Sequence, residues 1–302
     1  MLAIETDELR KLYGNKVALE GLTLQVARGE VFGFLGPNGA GKTTAVKVLA
    51  GLVAPTAGAA RIFGRPPGEP ATRRHIGFLP EHFRFQDWLT GAELLDFHGR
   101  LCGLKPEHRR ARVHELLVLV GLEEHGDRRI RSFSKGMQQR LGIAQALVGH
   151  PDLVLLDEPT SALDPLGRKE IRDLLRALRG DGTTVFLNSH LLTEIEMVCD
   201  RVAIIDRGRV VREGALGKLL AGEHELRIIL DRIDATALGV LAAFGAARQV
   251  DARTVSLEVP DVAVAPKVAR CLLDKGYELY GLTPIRRSLE DIFAEAVEGG
   301  EG

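Results

Sequence analysis

Apolar residues in the first part of the chain come in short unbroken runs: Val31 to Leu35, Leu153 to Leu156, Thr184 to Leu187 and Val202 to Ile205. Runs of this length without polar alternation predict strands buried on both faces, as in a mostly parallel sheet. Between them the period changes. After Pro165, the residues Ile171, Leu174, Leu175 and Leu178 share one face among Arg and Asp residues, which predicts a helix. Residues 90 to 148 carry helical patterning alone. They read as a helical insertion into an α/β fold.

Past residue 222 the pattern becomes two-fold. Leu226, Ile228 and Leu230 alternate as in a half-buried strand, Ala235 to Phe244 is helical, and a short strand is predicted near Arg248 to Asp251. Val255, Leu257 and Val259 alternate again, Ala265, Val268, Ala269 and Leu272 stand at helical spacing, and a last strand is expected around Tyr277 to Leu282. The order βαββαβ is that of a small α+β ferredoxin-like unit. Two domains are therefore expected, 1–219 with its helical part at about 82–148, and 220–302. Charge shifts at the same place. Residues 1–219 carry 31 basic and 27 acidic side chains, and 220–302 carry 9 and 14.

The 302 residues are 45% hydrophobic and only 27% charged, which suits folded domains rather than a disordered chain. A formal charge of −1 provides no overall field for nucleic acid or an anionic membrane, so no nucleic acid is expected as a partner. The basic cluster Arg109, Arg110, Arg112, Arg128, Arg129 and Arg131 is interspersed with Glu107, Glu115, Glu123, Glu124 and Asp127, and reads as a solvated helical face. Cys102, Cys199 and Cys271 are isolated and odd in number, which argues against a disulfide framework and fits a reducing cytoplasm. No apolar stretch approaches the roughly 18 residues that span a bilayer, and the first residues lack the apolar core of a signal peptide.

Val31–Leu35 runs into Gly36-Pro37-Asn38-Gly39-Ala40-Gly41-Lys42-Thr43-Thr44, a GxxxxGK[ST] loop in the context it requires, a buried strand before and a helix after. Gly36, Gly39 and Gly41 let successive N–H groups curl around phosphate oxygens. Lys42 would reach the β- and γ-phosphates, Thr43 would put its hydroxyl on Mg²⁺, and the helix N-terminus adds its positive end. A turn that merely joins strand to helix has no need of Lys-Thr at that offset. The run Leu153–Leu156 ends in Asp157-Glu158-Pro159, at the sheet edge where open α/β sheets bind ligands. Asp157 suits a Mg²⁺ contact, and Glu158 suits a general base that polarises an attacking water.

With these residues the sequence resembles the ATP-binding subunits of ABC transporters over residues 1 to about 220. Ser134-Lys135-Gly136-Met137-Gln138-Gln139-Arg140 is similar to that family's signature and lies between the two Walker motifs. Ser161-Ala162-Leu163-Asp164 resembles the D-loop, His190 the switch histidine, and Tyr13 the aromatic residue that stacks on adenine. There are departures. Glu81 stands where the family usually has the Q-loop glutamine, and Lys135 and Met137 replace Gly and Gln in the signature. Ser134 and Gly136, the positions the family uses against the γ-phosphate, are kept.

The resemblance implies a P-loop ATPase that binds ATP and Mg²⁺, the metal through Thr43, Asp157 and Glu81. It implies two nucleotide domains packed head to tail, as a homodimer or heterodimer, with Ser134, Gly136 and Asp164 of one facing the ATP of the other. Lys42, Glu158 and His190 would carry catalysis. A separate membrane permease is the implied partner, met through the helical insertion and the segment Glu81 to Trp88, at the cytoplasmic face of the membrane. The ending Ser288-Leu289-Glu290-Asp291-Ile292-Phe293 and the extra unit resemble drug and antibiotic exporter ATPases. Two other readings share the motifs: an importer ATPase whose C-terminal unit senses a ligand, and a soluble ABC protein acting on ribosomes or DNA. One P-loop and no long heptad stand against the second, and the signature stands against a simple P-loop kinase.

Overall fold

The four apolar runs are all strands in the computed structural model, which describes residues 1–220, 224–285 and 288–298. The chain begins with β1 (Leu2–Tyr13), β2 (Lys16–Ala27), β3 (Val31–Leu35), α1 (Lys42–Leu49), β4 (Ala57–Ile62), α2 (Pro70–Arg73) and β5 (Ile76–Leu79). There follow α3 (Gly91–Leu101), α4 (Pro106–Leu119), α5 (Lys135–Leu147), β6 (Leu153–Asp157), α6 (Pro165–Gly180) and β7 (Thr184–Asn188). Then come α7 (Leu192–Val198), β8 (Arg201–Asp206), β9 (Arg209–Ala215) and α8 (Leu216–Leu220). The last elements are β10 (His224–Leu230), α9 (Ala235–Ala242), β11 (Ala246–Gln249), β12 (Thr254–Val259), α10 (Ala265–Asp274), β13 (Leu279–Ile285) and α11 (Leu289–Glu298). Two compact units result, Met1–Leu216 with the residues from Glu295 on, and Gly217–Ala294.

In the first unit a six-stranded sheet runs in the order β5-β6-β7-β3-β8-β9 and is parallel except for the β8–β9 pair. β3, β6 and β7 are buried at every residue, which is why their sequences are unbroken apolar runs. Phe186 of β7 lies with its ring centre 5.8 Å from Phe32 and 5.1 Å from Phe34 on β3. Each such side chain, fully buried, contributes about 1.5–3 kcal/mol. The parallel register brings the C-terminal ends of β3, β6 and β7 to one edge, so the loops that follow them emerge together.

A second sheet, β2-β1-β4, is antiparallel and was not legible as apolar runs. Its reason is local: the β1–β2 register shifts between Thr6 and Leu9 and again at Arg10, and Glu8 adopts φ +43. Each bulge breaks the two-residue alternation that marks a strand. The helical insertion is as expected, with α3 opened by a capping box in which Thr90 Oγ1 accepts from Glu93 N at 3.1 Å and Glu93 Oε2 accepts from Thr90 N at 2.8 Å.

The arginine cluster is only partly the solvated face expected of it. Arg110, Arg128, Arg129 and Arg131 are exposed. Arg109, however, is half-buried and pairs with Asp96 of α3, and Arg112 donates from Nη2 to the Leu147 carbonyl at the end of α5 at 2.6 Å. Their long stems lie along apolar surface between the helices while the heads find fixed acceptors.

The second unit has an antiparallel sheet ordered β11-β12-β10-β13. Leu226, Ile228, Leu230, Val255, Leu257 and Val259 form one core cluster with Ala237 and Leu241 of α9 and Val268 and Leu272 of α10. Three boundaries move from expectation. α9 ends at Ala242, β11 lies two residues earlier, and β13 starts at Leu279 because Tyr277 is drawn into the turn after α10. There its backbone N–H bonds Leu272 O, and its hydroxyl donates to Asp234 Oδ1 at 2.5 Å. Asp234 also caps α9 by accepting from Ala237 N at 2.9 Å. Among the described residues no helix is long and apolar enough to cross a membrane.

Because Phe186 joins two adjacent strands of the central sheet, Phe186→Ala is expected to destabilise the first unit by about 3–5 kcal/mol. Chemical denaturation followed by far-UV circular dichroism measures this; a loss under about 1 kcal/mol contradicts the packing described.

Candidate active site

The loop from Gly36 to Gly41 joins the buried β3 to α1, whose first turn has no side-chain cap. Uncapped N–H groups at a helix start are donors for an anion. The glycines serve two purposes. A Cβ at Gly36 would lie 2.4 Å from Ile205 O, and one at Gly41, where φ is +107, would lie 2.3 Å from Ala18 O, so the chain's own packing excludes side chains there. At Gly39, with φ +86, a Cβ would project into open space. That vacant volume is what a phosphate needs.

A cavity of about 600 Å³ opens in front of this loop, the size of ordinary small-ligand sites. Asn38, Gly39, Gly41, Lys42, Thr43 and Thr44 form one wall, and Tyr13 and Glu81 contribute from β1 and from the segment after β5. Glu158, Asn188 and His190 close the opposite side. Pro37 and Ala40 shape the loop itself, Ala40 N donating to Pro37 O at 3.2 Å. Lys42 Nζ donates to Gly36 O at 2.6 Å and Pro37 O at 3.1 Å. Burial pushes its ammonium below the ordinary lysine value, against the pull of the Glu158, Asp157 and Glu81 carboxylates. Tyr13 is 47% exposed, a ring face open to a flat partner, with Lys11 Nζ 5.1 Å from its centre.

Asp157 and Asn188 end neighbouring strands in register, and Asn188 Nδ2 donates to Asp157 Oδ1 at 2.5 Å. Burial raises the Asp157 carboxyl above its ordinary range, the Asn188 bond opposes this, and the Glu81 charge adds to it. Asn188 Oδ1 is buried without a partner among the described residues. Thr43, Asp157 and Glu81 offer oxygen alone, and no three His, Cys, Asp or Glu side chains converge on a closed metal centre among the described residues. Such a sparse oxygen set suits a hard cation that keeps water and phosphate ligands, and the orphan Asn188 oxygen can accept from a water there. These residues fit Mg²⁺.

Glu158 has φ +55, and its backbone N–H bonds Asn188 O at 2.9 Å. Its side chain is 9% exposed, with Oε1 accepting from His190 N at 2.8 Å and Oε2 lying 2.7 Å from His190 Nδ1. Burial raises its carboxyl, while the bonds from His190 hold it down. A carboxylate so held can take a proton from water.

Ser134, Gly136 and Asp164 are not among the residues lining the cavity. Ser134 caps α5, accepting from Met137 N at 3.2 Å, and Asp164 caps α6, accepting from Gly167 N at 2.9 Å. Three cavity residues lie outside those singled out from the sequence. Lys16 and Ala18 open β2, in a hairpin the pattern does not reveal, and Asn188 stands in the switch-histidine motif without a part assigned to it.

Comparison with known proteins adds the family context. The sequence model described as ABC transporter matches residues 19–161. The daunorubicin resistance ATP-binding protein DrrA3 of Streptomyces coeruleorubidus is 40% identical over 96% of this chain and 94% of its own. The Nod factor export ATP-binding protein I of Paraburkholderia xenovorans (strain LB400) is 42% identical over 73% of each chain. Among solved structures, the ATP-binding cassette MJ0796, a dimer in a post-hydrolysis state bound to ADP and Pi, matches with a TM-score of 0.66. It is 30% identical, over 70% of this chain and 98% of that one.

Removing the donor from the buried Asp157 leaves an uncompensated polar group, so Asn188→Ala is expected to lower stability by about 1–3 kcal/mol. A denaturation midpoint unchanged from the parent protein contradicts the geometry given for this pair.

Proposed function

This chain belongs to the ABC transporter ATP-binding proteins and hydrolyses ATP, and we propose that it does so as the energising subunit of an export system. The observation that carries the reading is the meeting of Lys42, Glu158 and His190 across one cavity. Adenine stacks on Tyr13, and the phosphates lie along Gly36–Gly41 with Lys42 at the β- and γ-groups. Pro37, Asn38, Ala40 and Thr44 complete that loop and the first turn of α1. Thr43, Asp157 and Glu81 would hold Mg²⁺, which would supply positive charge to offset that of the phosphates. Glu158 accepts the proton of the attacking water as its oxygen bonds the γ-phosphorus. The bond from that phosphorus to the β,γ-bridging oxygen breaks, and the products are ADP and phosphate. His190 orients Glu158 and meets the γ-phosphate.

Ser134, Gly136 and Asp164 lie outside the cavity of their own chain, which supports a site shared between two chains. In this reading the γ-phosphate bridges Lys42 of one subunit and Ser134 of the other, so ATP stabilises the dimer and hydrolysis weakens it. The dimeric state named for MJ0796 is in keeping with it.

Work is delivered to a separate membrane permease, with this chain peripheral at the cytoplasmic face. In the segment Glu81 to Trp88 the tryptophan is 70% exposed and the rings of Phe83 and Phe85 lie 4.9 Å apart, aromatic character that suits a protein partner. Relatives named for daunorubicin resistance and Nod factor export favour export over import. The first unit is the ATPase domain, and the second, Gly217–Ala294, is an accessory domain. The βαββαβ order and the strand order β11-β12-β10-β13 support a ferredoxin-like fold for the latter.

Glu158→Gln is expected to bind ATP and accumulate as an ATP-bound dimer with turnover reduced at least about a hundredfold. Size-exclusion chromatography with light scattering and a phosphate-release assay measure both; turnover at the parent rate removes Glu158 as the base. Lys42→Ala is expected to weaken nucleotide binding at least about tenfold, read by titration calorimetry. Purified from detergent-solubilised native membranes with ATP and Mg²⁺, the Glu158→Gln protein should bring a stoichiometric polytopic partner. Ribosomal or DNA-bound material in its place overturns the transporter reading.

A further inference from the structure

The backbone of Glu158 is left-handed, φ +55, in a residue with a full side chain. Such a conformation is uncommon outside glycine, and persists only where the surroundings determine it. Two ends of the residue are therefore worth following. Its N–H is held by Asn188 O at 2.9 Å. Its carbonyl oxygen accepts from Gln139 Nε2 at 3.1 Å, from Ser161 Oγ at 3.1 Å and from Ser161 N at 3.4 Å.

The side-chain donors to the carbonyl are not equivalent to each other. Ser161 is exposed, so water can take the place of its hydroxyl, whereas Gln139 is only 5% exposed and has no such substitute. Gln139 also comes from a rigid support. It sits on α5 among the buried residues Leu141, Gly142, Ile143 and Ala144, so its amide is delivered to the turn after β6 by a packed helix. The contact spans 19 residues of sequence and joins the helix capped by Ser134 to the carboxylate that faces the cavity.

We infer that Gln139 is a positioning residue for hydrolysis: its buried side-chain amide holds the Glu158 carbonyl and so keeps the Glu158 carboxylate aimed at the attacking water. The inference rests on the reading of Glu158 as the base. Without that donor the carbonyl keeps only the longer Ser161 N–H bond and the Ser161 hydroxyl of an exposed turn, so the peptide after Glu158 relaxes toward a more ordinary backbone and carries the carboxylate away from the water. Displacements of about 1 Å at a reacting group can cost a hundredfold in rate. Gln139 is not among the residues lining the cavity, so binding should be spared.

The test is the steady-state ATPase of the full chain carrying Gln139→Met, which keeps length and burial and removes the donor. The expected result is a kcat lower by about ten- to a hundredfold. KM for ATP should stay within about twofold and the unfolding midpoint should be close to that of the parent. Gln139→Leu, which also removes the donor and leaves an apolar side chain of similar volume, should reproduce the split between kcat and KM if the methionine variant folds poorly. A parent-like kcat in either folded variant overturns the inference. So does a fall in kcat that is matched by loss of nucleotide affinity and of stability, which is the signature of a merely structural contact. Glu158→Gln measured alongside separates the two readings. Parent-like turnover in Glu158→Gln removes the base itself, and an inactive Glu158→Gln beside a fully active Gln139→Met removes only the positioning role.

Discussion

The register between β6 and β7 governs the site. Pairing Asp157 with Asn188 at the ends of two buried parallel strands puts an amide donor 2.5 Å from a carboxylate that burial would otherwise push toward neutrality. The same register hands the Glu158 N–H to Asn188 O, and the next residues along bring His190 N to Glu158 Oε1. Three acidic or basic groups are thereby ordered by one strand pair. A slip of one residue would turn every side chain to the opposite face of the sheet. The surrounding apolar packing of Phe32, Phe34 and Phe186 makes that slip costly, so core and chemistry are fixed by the same alignment.

Against this rigid edge, the P-loop is held by its own chain. Gly36 and Gly41 are excluded from bearing side chains by Ile205 O and Ala18 O, so the loop's shape is set before any ligand arrives. Lys42 occupies loop carbonyls while it waits, and its raised cost of charge is offset by nearby carboxylates. Such pre-organisation reduces what binding must spend on ordering. Ser134 and Asp164, by contrast, do not line this cavity and use their side chains to cap α5 and α6.

Much of this was legible from residues alone because buried parallel strands and the P-loop have short-range signatures. Val31–Leu35 appears as a strand with the bounds expected, and the glycine loop after it runs into a helix as expected. The antiparallel sheet was hidden because bulges at Thr6 and Leu9 break the alternation of β1, and with it went Lys16. Arg109 and Arg112 looked like solvated charge because their acceptors, Asp96 and the Leu147 carbonyl, are supplied by other helices. Tyr277 was counted into a strand because its partner Asp234 lies 43 residues away. In each case the missing information was a contact distant in sequence, which local pattern does not carry.

The central claim, that one site is built from two chains, is tested most directly by mixing two inactive variants. Lys42→Ala and Ser134→Ala are purified separately and then combined with ATP and Mg²⁺. If Lys42 of one chain works with Ser134 of the other, each heterodimer regains one intact site, and ATPase activity should rise to about a quarter of the parent value with random pairing. A mixture that stays as inactive as its two components contradicts the shared site.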